Sequence, residues 1–548
     1  MSIGARKLTR QTRVVSFKAP PGRLSRLWDR ARRSDVVLRL AICLLAAVAM
    51  WAVTKAWHPP FAHRIDDVLT ESVSVTWREN EGDEPTNIPV LARQPLGAEQ
   101  VEMLAHEYRN DIAKFSTGSA MVRSLAVFSL IFGVFAICGY FLYQQDRRML
   151  RELRRFSTLL GLVVLTCATA HLAWPYPWRA ELVPVLSFGM ICGIAYKREL
   201  ALLMAVCMVL FLGLVEGYRL GECVMLIGVS SIAVLLLGRI RSRSKLMKVG
   251  IATGLAAIGL TMITQLLDGV PLSIALWERA AWNGGWALAA GVITTGLLPS
   301  IENIFSVLTD ISLLELGDAS HPLLQELVRR APGTYNHSIN VASIAEAAAE
   351  AIGGRRLLVR VGAYFHDIGK MLKPGYFVEN QGAEANRHDA LMPAMSTLII
   401  VAHVKDGADL ARQHHLPEPV IDFIEQHHGT TLVEYFYRRA NQQNEGNPDG
   451  SEIQEDSFRY PGPKPQTRET AVLMLADAVE SASRALVEPT PARIEGLVEE
   501  IAMKRLLDGQ FDECGLTLKQ LRIVEDSLIK SLTAVYHGRV KYPDQRTA

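Results

Sequence analysis

The sequence predicts an all-α protein in which a multi-span helical membrane region precedes an all-helical soluble domain in the cytoplasm. Residues up to about 300 contain repeated apolar runs, and a spanning helix needs ~20 apolar residues. Beyond them the apolar residues recur at helical spacing, and strand-like alternation is scarce. A chain of 548 residues should also hold more than one folding unit.

Residues 1–35 form a basic tail before the first predicted transmembrane helix, residues 36–57. Lysine and arginine far outnumber aspartate in this tail, so the positive-inside rule places the N-terminus in the cytoplasm. Contact with anionic lipid headgroups is a secondary expectation. The apolar run is long and no clear small-residue cleavage site follows it, which argues against a signal peptide.

Residues 58–118 are polar and are predicted to be a short extracytoplasmic segment with one amphipathic helix from Glu99 to Lys114. Residues 119–300 are predicted to form a seven-helix membrane bundle. The apolar runs lie at about 120–143, 156–174, 180–196, 200–218, 223–239, 249–267 and 283–300. Basic residues follow the first, third and fifth of these runs. Eight spans in all therefore leave both ends of this plasma-membrane protein in the cytoplasm.

Few ionisable side chains fall in or near these apolar runs. His171 lies near the outer end of its run, and Glu216 and Glu222 lie at loop edges. Because intramembrane charges mark transport pathways, an anchoring or signalling bundle is favoured over a transporter. Six of the seven cysteines lie in or beside apolar runs and none forms a Cys-x-x-Cys pair. This argues against a zinc ribbon or a disulfide framework.

A connecting helix is predicted over 301–319, followed by the soluble domain over 320–548. The candidate metal ligands of this domain are five histidines and two aspartates on helical segments: His337, His366, Asp367, His403, His427, His428 and Asp477. Nitrogen and oxygen donors without thiolate suit two divalent transition-metal ions, with iron or manganese favoured. Seven ligands are too many for one ion with an open position, and Asp367 is the natural bridge between two. Such a centre would activate water against a phosphodiester, and Lys370 could steady a phosphate oxygen.

The remaining histidines are assigned to structural or solvent-facing roles. His414-His415 ends a predicted helix before Pro417, where cationic side chains favour the helix dipole. Solvation or capping is assigned to His58, His63, His106, His171 and His537, and a structural role is assigned to His321 and His388.

The soluble part resembles the seven-transmembrane-receptor HD family of the HD-domain phosphohydrolases. The motifs that carry this resemblance are Ala331 to Ser338, His366 to Lys370, His403 to Gly407, Gln426 to Thr431, Phe458 to Gln466 and Leu475 to Glu480. The resemblance implies cytoplasmic hydrolysis of cyclic di-AMP to pApA. It also implies the same seven metal ligands.

The sequence departs from the family in one respect, because family members usually carry a much longer extracytoplasmic domain than residues 58–118. A related branch that hydrolyses cyclic di-GMP has a Gly-Tyr-Pro tripeptide soon after its His-His pair. Here Gly429-Thr430-Thr431 follows the pair, which disfavours cyclic di-GMP. A receptor that binds the nucleotide without cleaving it is the other alternative.

The expected partners are a cyclic dinucleotide and the lipid bilayer, with no duplex nucleic acid. A homodimer is left open. Tyr335, Tyr376 and Arg484 are candidate neighbours of the nucleotide pocket.

Overall fold

The computed structural model describes residues 34–537 except 62, 64–68, 70–71, 78–85, 92–93, 95, 146–151, 175–179, 239, 241, 382–385 and 446–452. Nearly all of the basic tail, residues 1–33, lies outside the described residues. The chain divides into two compact units. The first comprises Met1–Gly238 and Leu246–Phe305, and the second comprises Arg239–Lys245 and Ser306–Ala548. The predicted all-α fold class is confirmed in both.

The first unit is built from apolar helices that follow the predicted runs. They are α1 (Ser34–Val53), α2 (Ala98–Ala113), α3 (Thr117–Gln145), α4 (Leu153–Ala173), α5 (Leu182–Ala195), α6 (Arg198–Glu216), α7 (Leu220–Leu237), α8 (Arg243–Leu267), α9 (Ile274–Gly296) and α10 (Leu298–Phe305). All of these except α2 are apolar, and α2 is the amphipathic helix predicted over 99–114.

Among the described residues of this unit, six helices are long and apolar enough to cross a membrane: α1, α3, α4, α6, α7 and α8. The pair α9 and α10, bent by 59°, makes a seventh if it counts as one span. Helix α5 has only 14 residues; at ~1.5 Å per residue it is shorter than the hydrocarbon core. The chain is a multi-pass membrane protein, and the count of eight spans stays a prediction.

Close helix packing in this unit depends on small residues. A Cβ atom on Gly291 of α9 would lie 2.7 Å from the Cα atom of Gly250 on α8. Any larger residue would push the two helices apart, which is the usual reason for small residues between membrane helices.

The polar segment after α1 contains a β-hairpin that has no counterpart among the predicted elements. Strands β1 (Val73–Trp77) and β2 (Thr86–Val90) pair antiparallel, with Val73 opposite Val90. Val75, Val90 and Leu104 of helix α2 are buried in a small core. The alternation Val-Ser-Val-Thr-Trp of β1 is the period-two signal that could have revealed it.

The second unit is helical throughout its described residues apart from one isolated β-bridge between Leu432 and Arg459. Its helices are α11 (Asp310–Leu316), α12 (Pro322–Arg330), α13 (Pro332–Ala351), α14 (Arg356–Phe365), α15 (Pro393–Gln413), α16 (Glu418–Gln426), α17 (Glu434–Glu445), α18 (Arg468–Ser483), α19 (Pro491–Leu507) and α20 (Leu518–His537). Five 3₁₀ segments lie at Ile368–Leu372, Pro374–Tyr376, Val378–Asn380, Arg387–Ala390 and Glu455–Phe458. Helices α13, α14 and α18 form the centre of its apolar core.

The single connecting helix predicted over 301–319 is wrong. Helix α10 ends at Phe305, Ser306 adopts a positive φ of 52°, and α11 begins only at Asp310. A left-handed backbone at a non-glycine residue cannot continue an α-helix. The apolar spacing of this stretch therefore belongs to two short helices.

Candidate metal centre

The seven predicted ligands come from five separate parts of the second unit and converge at one place. His337 lies on α13, His366 and Asp367 directly follow α14, His403 lies on α15, His427 and His428 directly follow α16, and Asp477 lies on α18. In the described residues, three overlapping groups drawn from this set have all their ligand atoms within 4.8 Å of one another. The structure thus brings all seven together.

The His366-Asp367 pair lies just beyond a helix rather than within one. Helix α14 ends at Phe365, and Asp367 has a φ of −110°. The chain then enters a 3₁₀ turn that lies against α15. A Cβ atom on Gly369 would lie only 2.0 Å from the His403 carbonyl oxygen, so glycine is needed for this approach. The close packing holds Asp367 beside His403.

The two carboxylate oxygens of Asp367 face two different sets of ligands. Oδ1 lies 3.3 Å from His403 Nε2 and 3.6 Å from His427 Nε2. Oδ2 lies 3.2 Å from His366 Nε2 and 3.7 Å from His337 Nε2. This arrangement is that of a carboxylate able to bridge two ions.

We refer to the two sets by the oxygen they face. The Oδ1 side comprises His403, His427 and His428. The Oδ2 side comprises His337, His366 and Asp477, whose Oδ1 lies 2.9 Å from His337 Nε2 and 3.8 Å from His366 Nε2. The second oxygen of Asp477 lies 3.8 Å from His428 Nδ1 and so reaches across to the other side.

The residues fit a divalent metal centre, because some of their buried polar atoms have no hydrogen-bond partner. His366 Nε2 and Asp367 Oδ1 are buried and make no hydrogen bond of normal geometry. Buried polar atoms of this kind are costly unless another partner satisfies them. Imidazole nitrogens and carboxylate oxygens without thiolate form the donor set of a transition-metal site.

The electrostatics differ between the two sides. Burial raises the pKa of Asp367, but the charges of His366 and Lys370 outweigh it and hold that pKa well below its usual value. Burial likewise opposes the charged form of Asp477, whose pKa is held well below its usual value by the hydrogen bond from His337 and by the charges of His337 and His366. Burial lowers the pKa of His366, but the charge of Asp367 opposes burial, and that pKa is raised overall to about 10.

On the Oδ1 side burial dominates. It lowers the pKa of His427, and together with the neighbouring His427 it lowers the pKa of His428 well below its usual value. These two rings are therefore neutral at neutral pH, in the protonation state that a metal requires.

Hydrogen bonds to the second ring nitrogens orient the histidines. His366, His403 and His427 each place Nδ1 against a backbone carbonyl three residues earlier, at 2.7, 2.6 and 2.8 Å. His337 differs, because its Nδ1 lies 2.6 Å from Glu480 Oε2. Arg484 donates to Oε1 of the same carboxylate at 2.9 and 2.6 Å. A carboxylate partner fixes the ring and raises its basicity as a ligand.

Lys370 lies beside the bridging carboxylate. Its Nζ is 2.7 Å from Asp367 Oδ2 and 3.1 Å from Glu379 Oε1. Glu379 also accepts a hydrogen bond from Thr334 Oγ1 at 3.0 Å. In this structure the ammonium is thus held between two carboxylates, and its predicted contact with a phosphate oxygen stays a prediction.

Three residues at the site were given no role by the sequence. Glu480 lies one turn after Asp477 on α18. The i, i+3 spacing puts both side chains on one helix face and could have identified Glu480 from the sequence. Tyr460 stacks on His428 with ring centroids 4.3 Å apart. Neither Tyr460 nor Glu379 carries a local signal. Tyr460 comes from a segment 32 residues beyond His428, and Glu379, nine residues beyond Lys370, reaches it only because the chain turns between them.

The structure gives other contacts for the three residues that were predicted beside the nucleotide. Arg484 contacts Glu480, and Tyr335 packs against the apolar core. Tyr376 packs against the His388 ring, and its carbonyl pairs with His388 Nε2 at 2.8 Å. Their predicted place beside the nucleotide stays untested.

Two predictions about the other histidines can be compared with the structure. The assignment of His171 to solvation or capping is wrong, because its Nδ1 lies 2.8 Å from the buried Glu216. His415 lies two residues beyond the end of α15 and adopts a left-handed backbone conformation, with a φ of 56°. The side chain of His537 lies outside the described residues.

Comparison with known proteins gives the family. Residues 121–309 match the family described as 7TM receptor with intracellular HD hydrolase, and residues 334–482 match the HD domain. The cyclic-di-AMP phosphodiesterase PgpH of Bacillus subtilis (strain 168) is 33% identical over 484 residues, 85% of this chain and 67% of that protein. The chain belongs to this 7TM receptor HD hydrolase family. Its HD domain is of a kind that binds divalent metal ions.

Two further matches, one to a relative and one to a solved structure, have higher sequence identity. The cyclic-di-AMP phosphodiesterase PgpH of Listeria monocytogenes serotype 1/2a (strain 10403S) is 44% identical over 317 residues, 57% of this chain. The chain spans 43% of the length of that relative. A crystal structure of the L. monocytogenes PgpH HD domain in complex with cyclic-di-AMP is 49% identical, with a TM-score of 0.38. That match covers 40% of this chain and all of the solved one.

Proposed function

We propose that this protein is a membrane-anchored, metal-dependent phosphodiesterase that hydrolyses cyclic di-AMP to pApA in the cytoplasm. The observation that carries the proposal is the position of Asp367, whose two oxygens face separate ligand sets. A carboxylate shared in this way is what a dinuclear hydrolytic centre requires.

The proposal assigns the metal-holding role to all seven convergent residues, with iron or manganese as the ions. When bound, such ions acidify a water molecule and neutralise charge on the phosphodiester. Asp367 remains ionised and keeps the two ligand sets at a fixed separation. His427 and His428 present neutral rings, and the Glu480 carboxylate orients the ring of His337.

Lys370 is proposed as a positioning and electrostatic residue. Its charge lies 2.7 Å from Asp367 Oδ2, where it favours the ionised carboxylate. In the substrate complex the same ammonium is the candidate to steady a phosphate oxygen. Lys370→Met, which keeps the apolar stem, should reduce turnover while the metal content of the purified chain stays unchanged.

The substrate assignment rests on the two relatives named as cyclic-di-AMP phosphodiesterases. It is supported by the absence of a Gly-Tyr-Pro tripeptide after His427-His428. The positive-inside pattern places the N-terminus and the HD domain in the cytoplasm, which is where a nucleotide second messenger is available.

The test uses the purified chain in lipid nanodiscs, loaded with Mn²⁺ or Fe²⁺ and incubated with cyclic di-AMP or cyclic di-GMP. The proposal expects pApA to accumulate from cyclic di-AMP, with slower turnover of cyclic di-GMP. Faster cleavage of cyclic di-GMP would overturn the substrate assignment. Saturable nucleotide binding without any product from the metal-loaded chain would instead establish a receptor without catalysis.

A further inference from the structure

A cavity of about 490 Å³ lies within the first unit, separate from the metal centre. Its walls come from the end of α1, residues 58–61 and 63 of the connection after it, helix α2 and the C-terminal ends of α4 and α6. Its volume falls within the range of roughly 300–1,000 Å³ that is typical of small-molecule sites. The proposed phosphodiesterase activity does not use this cavity.

The acidic group in the wall is already engaged. Glu216 of α6 is only 4% exposed, and its Oε1 lies 2.8 Å from His171 Nδ1 on α4. These are two of the few ionisable residues that the sequence places near apolar runs, and burial of such groups in a membrane protein indicates function. Because the imidazole satisfies the carboxylate, Glu216 is not the group that would hold a cationic ligand.

Apart from Glu216 and its partner His171, the wall contains one lysine and two histidines. Lys55, which follows α1 with a φ of 49°, has no ion-pair partner among the described residues. His58 Nδ1 is buried without a hydrogen-bond partner, although its ring packs against Trp57 and Phe115. His63 also lines the cavity.

The rest of the wall is largely apolar or already hydrogen-bonded. Tyr108 donates its hydroxyl hydrogen to the Pro59 carbonyl at 2.6 Å, which fastens α2 to the connection after α1. Phe61, Ile112 and Trp174 supply aromatic and aliphatic surface. The cavity therefore pairs a basic region with an apolar one.

We propose that this cavity binds a small organic anion, a carboxylate carrying an apolar body. A carboxylate offers only acceptors and so complements the Lys55 ammonium and an N–H of the His58 ring. The apolar body of the ligand lies against Phe61, Ile112 and Trp174. This is a second ligand site, independent of the nucleotide site in the HD domain.

The experiment measures binding of radiolabelled octanoate to the full chain in phosphatidylcholine nanodiscs, with empty nanodiscs giving the lipid background. Saturable binding in excess of that background is expected. Octanamide, which has the same chain but no charge, should compete at least about tenfold less well than unlabelled octanoate.

Two variants locate the site. Lys55→Gln should weaken octanoate binding by about tenfold or more, because an ammonium that has no ion-pair partner among the described residues is lost. Ile112→Trp should block binding by filling the cavity while leaving every charge in place. Lys114→Gln is the matched control. Lys114 is an exposed lysine directly after α2, and it does not line the cavity.

A lipid could supply the same anionic chemistry, so one arm purifies the chain from nanodiscs that contain phosphatidylglycerol. Retention of phosphatidylglycerol by the wild-type chain but not by Lys55→Gln would support the site with a lipid as its ligand. The proposal is overturned if neither octanoate nor phosphatidylglycerol binds saturably. It is also overturned if Lys55→Gln and Lys114→Gln bind the ligand equally well.

Discussion

The two sides of the metal centre share Asp367 but differ in charge and protonation. The Oδ2 side adds a second carboxylate, Asp477, to two histidines, and the pKa of His366 is raised there to about 10. The Oδ1 side has three histidines and no further carboxylate of its own, and the pKa values of His427 and His428 are lowered. On the Oδ2 side, a metal must displace the proton of His366, whereas on the Oδ1 side the rings of His427 and His428 are already neutral.

From this difference we expect that two ions bound on either side of Asp367 would differ in proton linkage. The contact between a carboxylate and a second ring nitrogen, from Glu480 to His337, is found on the Oδ2 side. On the Oδ1 side, His403 and His427 use backbone carbonyls instead. Variants on the two sides should therefore have distinguishable effects on metal binding.

The largest effect is expected from Asp367→Asn, which removes the charge shared by both sides. Turnover of cyclic di-AMP should fall to background, and the metal content of the purified chain should fall on both sides. Elemental analysis and product chromatography measure these outcomes. Asp409→Asn, on the exposed surface of α15, is a control expected to retain both properties. Full turnover in Asp367→Asn would remove this residue from the mechanism.

A smaller effect is expected from Glu480→Gln. Loss of the charged partner of His337 should weaken metal affinity on the Oδ2 side by about 10–100-fold, the usual cost of removing such a contact. Competition with a fluorescent chelator measures it. Glu346→Gln, whose carboxylate pairs with Arg360 away from the site, is the control. Equal affinities for the two variants would show that Glu480 does not support a ligand.

The protonation difference predicts how metal binding depends on pH. His366 holds its proton up to its pKa of about 10, so at neutral pH metal binding must release that proton. The release should decline only as the pH rises through 10. His366→Gln should lower the number released by about one, whereas His428→Gln should leave it unchanged. Calorimetric titration of the metal-free chain in buffers of different ionisation enthalpy counts these protons. An equal loss in the two variants would contradict the proposed asymmetry.

The smallest effect is expected from Tyr460→Leu. Stacking on His428 is worth about 1 kcal/mol, so metal affinity on the Oδ1 side should fall by less than about tenfold. The chelator competition used for Glu480 detects this change. A larger loss, comparable to that of a ligand variant, would indicate that Tyr460 does more than support the ring of His428.

The sequence predicts the helices and the seven converging residues because each has a local signal. Apolar runs of spanning length and ligand-type residues on helical segments are visible without coordinates. The two facing sets around Asp367 are not visible, because they depend on how α13, α15 and α16 approach one another. The pairing of His171 with Glu216 was missed for the same reason, since α4 and α6 bring together residues 45 positions apart.

Local signals also fail where spacing is ambiguous. The stretch 301–319 has helical periodicity, yet Ser306 breaks it. Glu480 follows Asp477 by one helical turn, but its role depends on the position of His337, which is 143 residues away in sequence.

The most direct test of the shared carboxylate is a crystal structure of the Mn²⁺-loaded protein with anomalous data collected near the manganese edge. We expect two anomalous peaks about 3.5–4 Å apart, one beside each oxygen of Asp367, with His403 and His427 at one and His337 and His366 at the other. A single peak, or two peaks that do not share Asp367, would contradict the account.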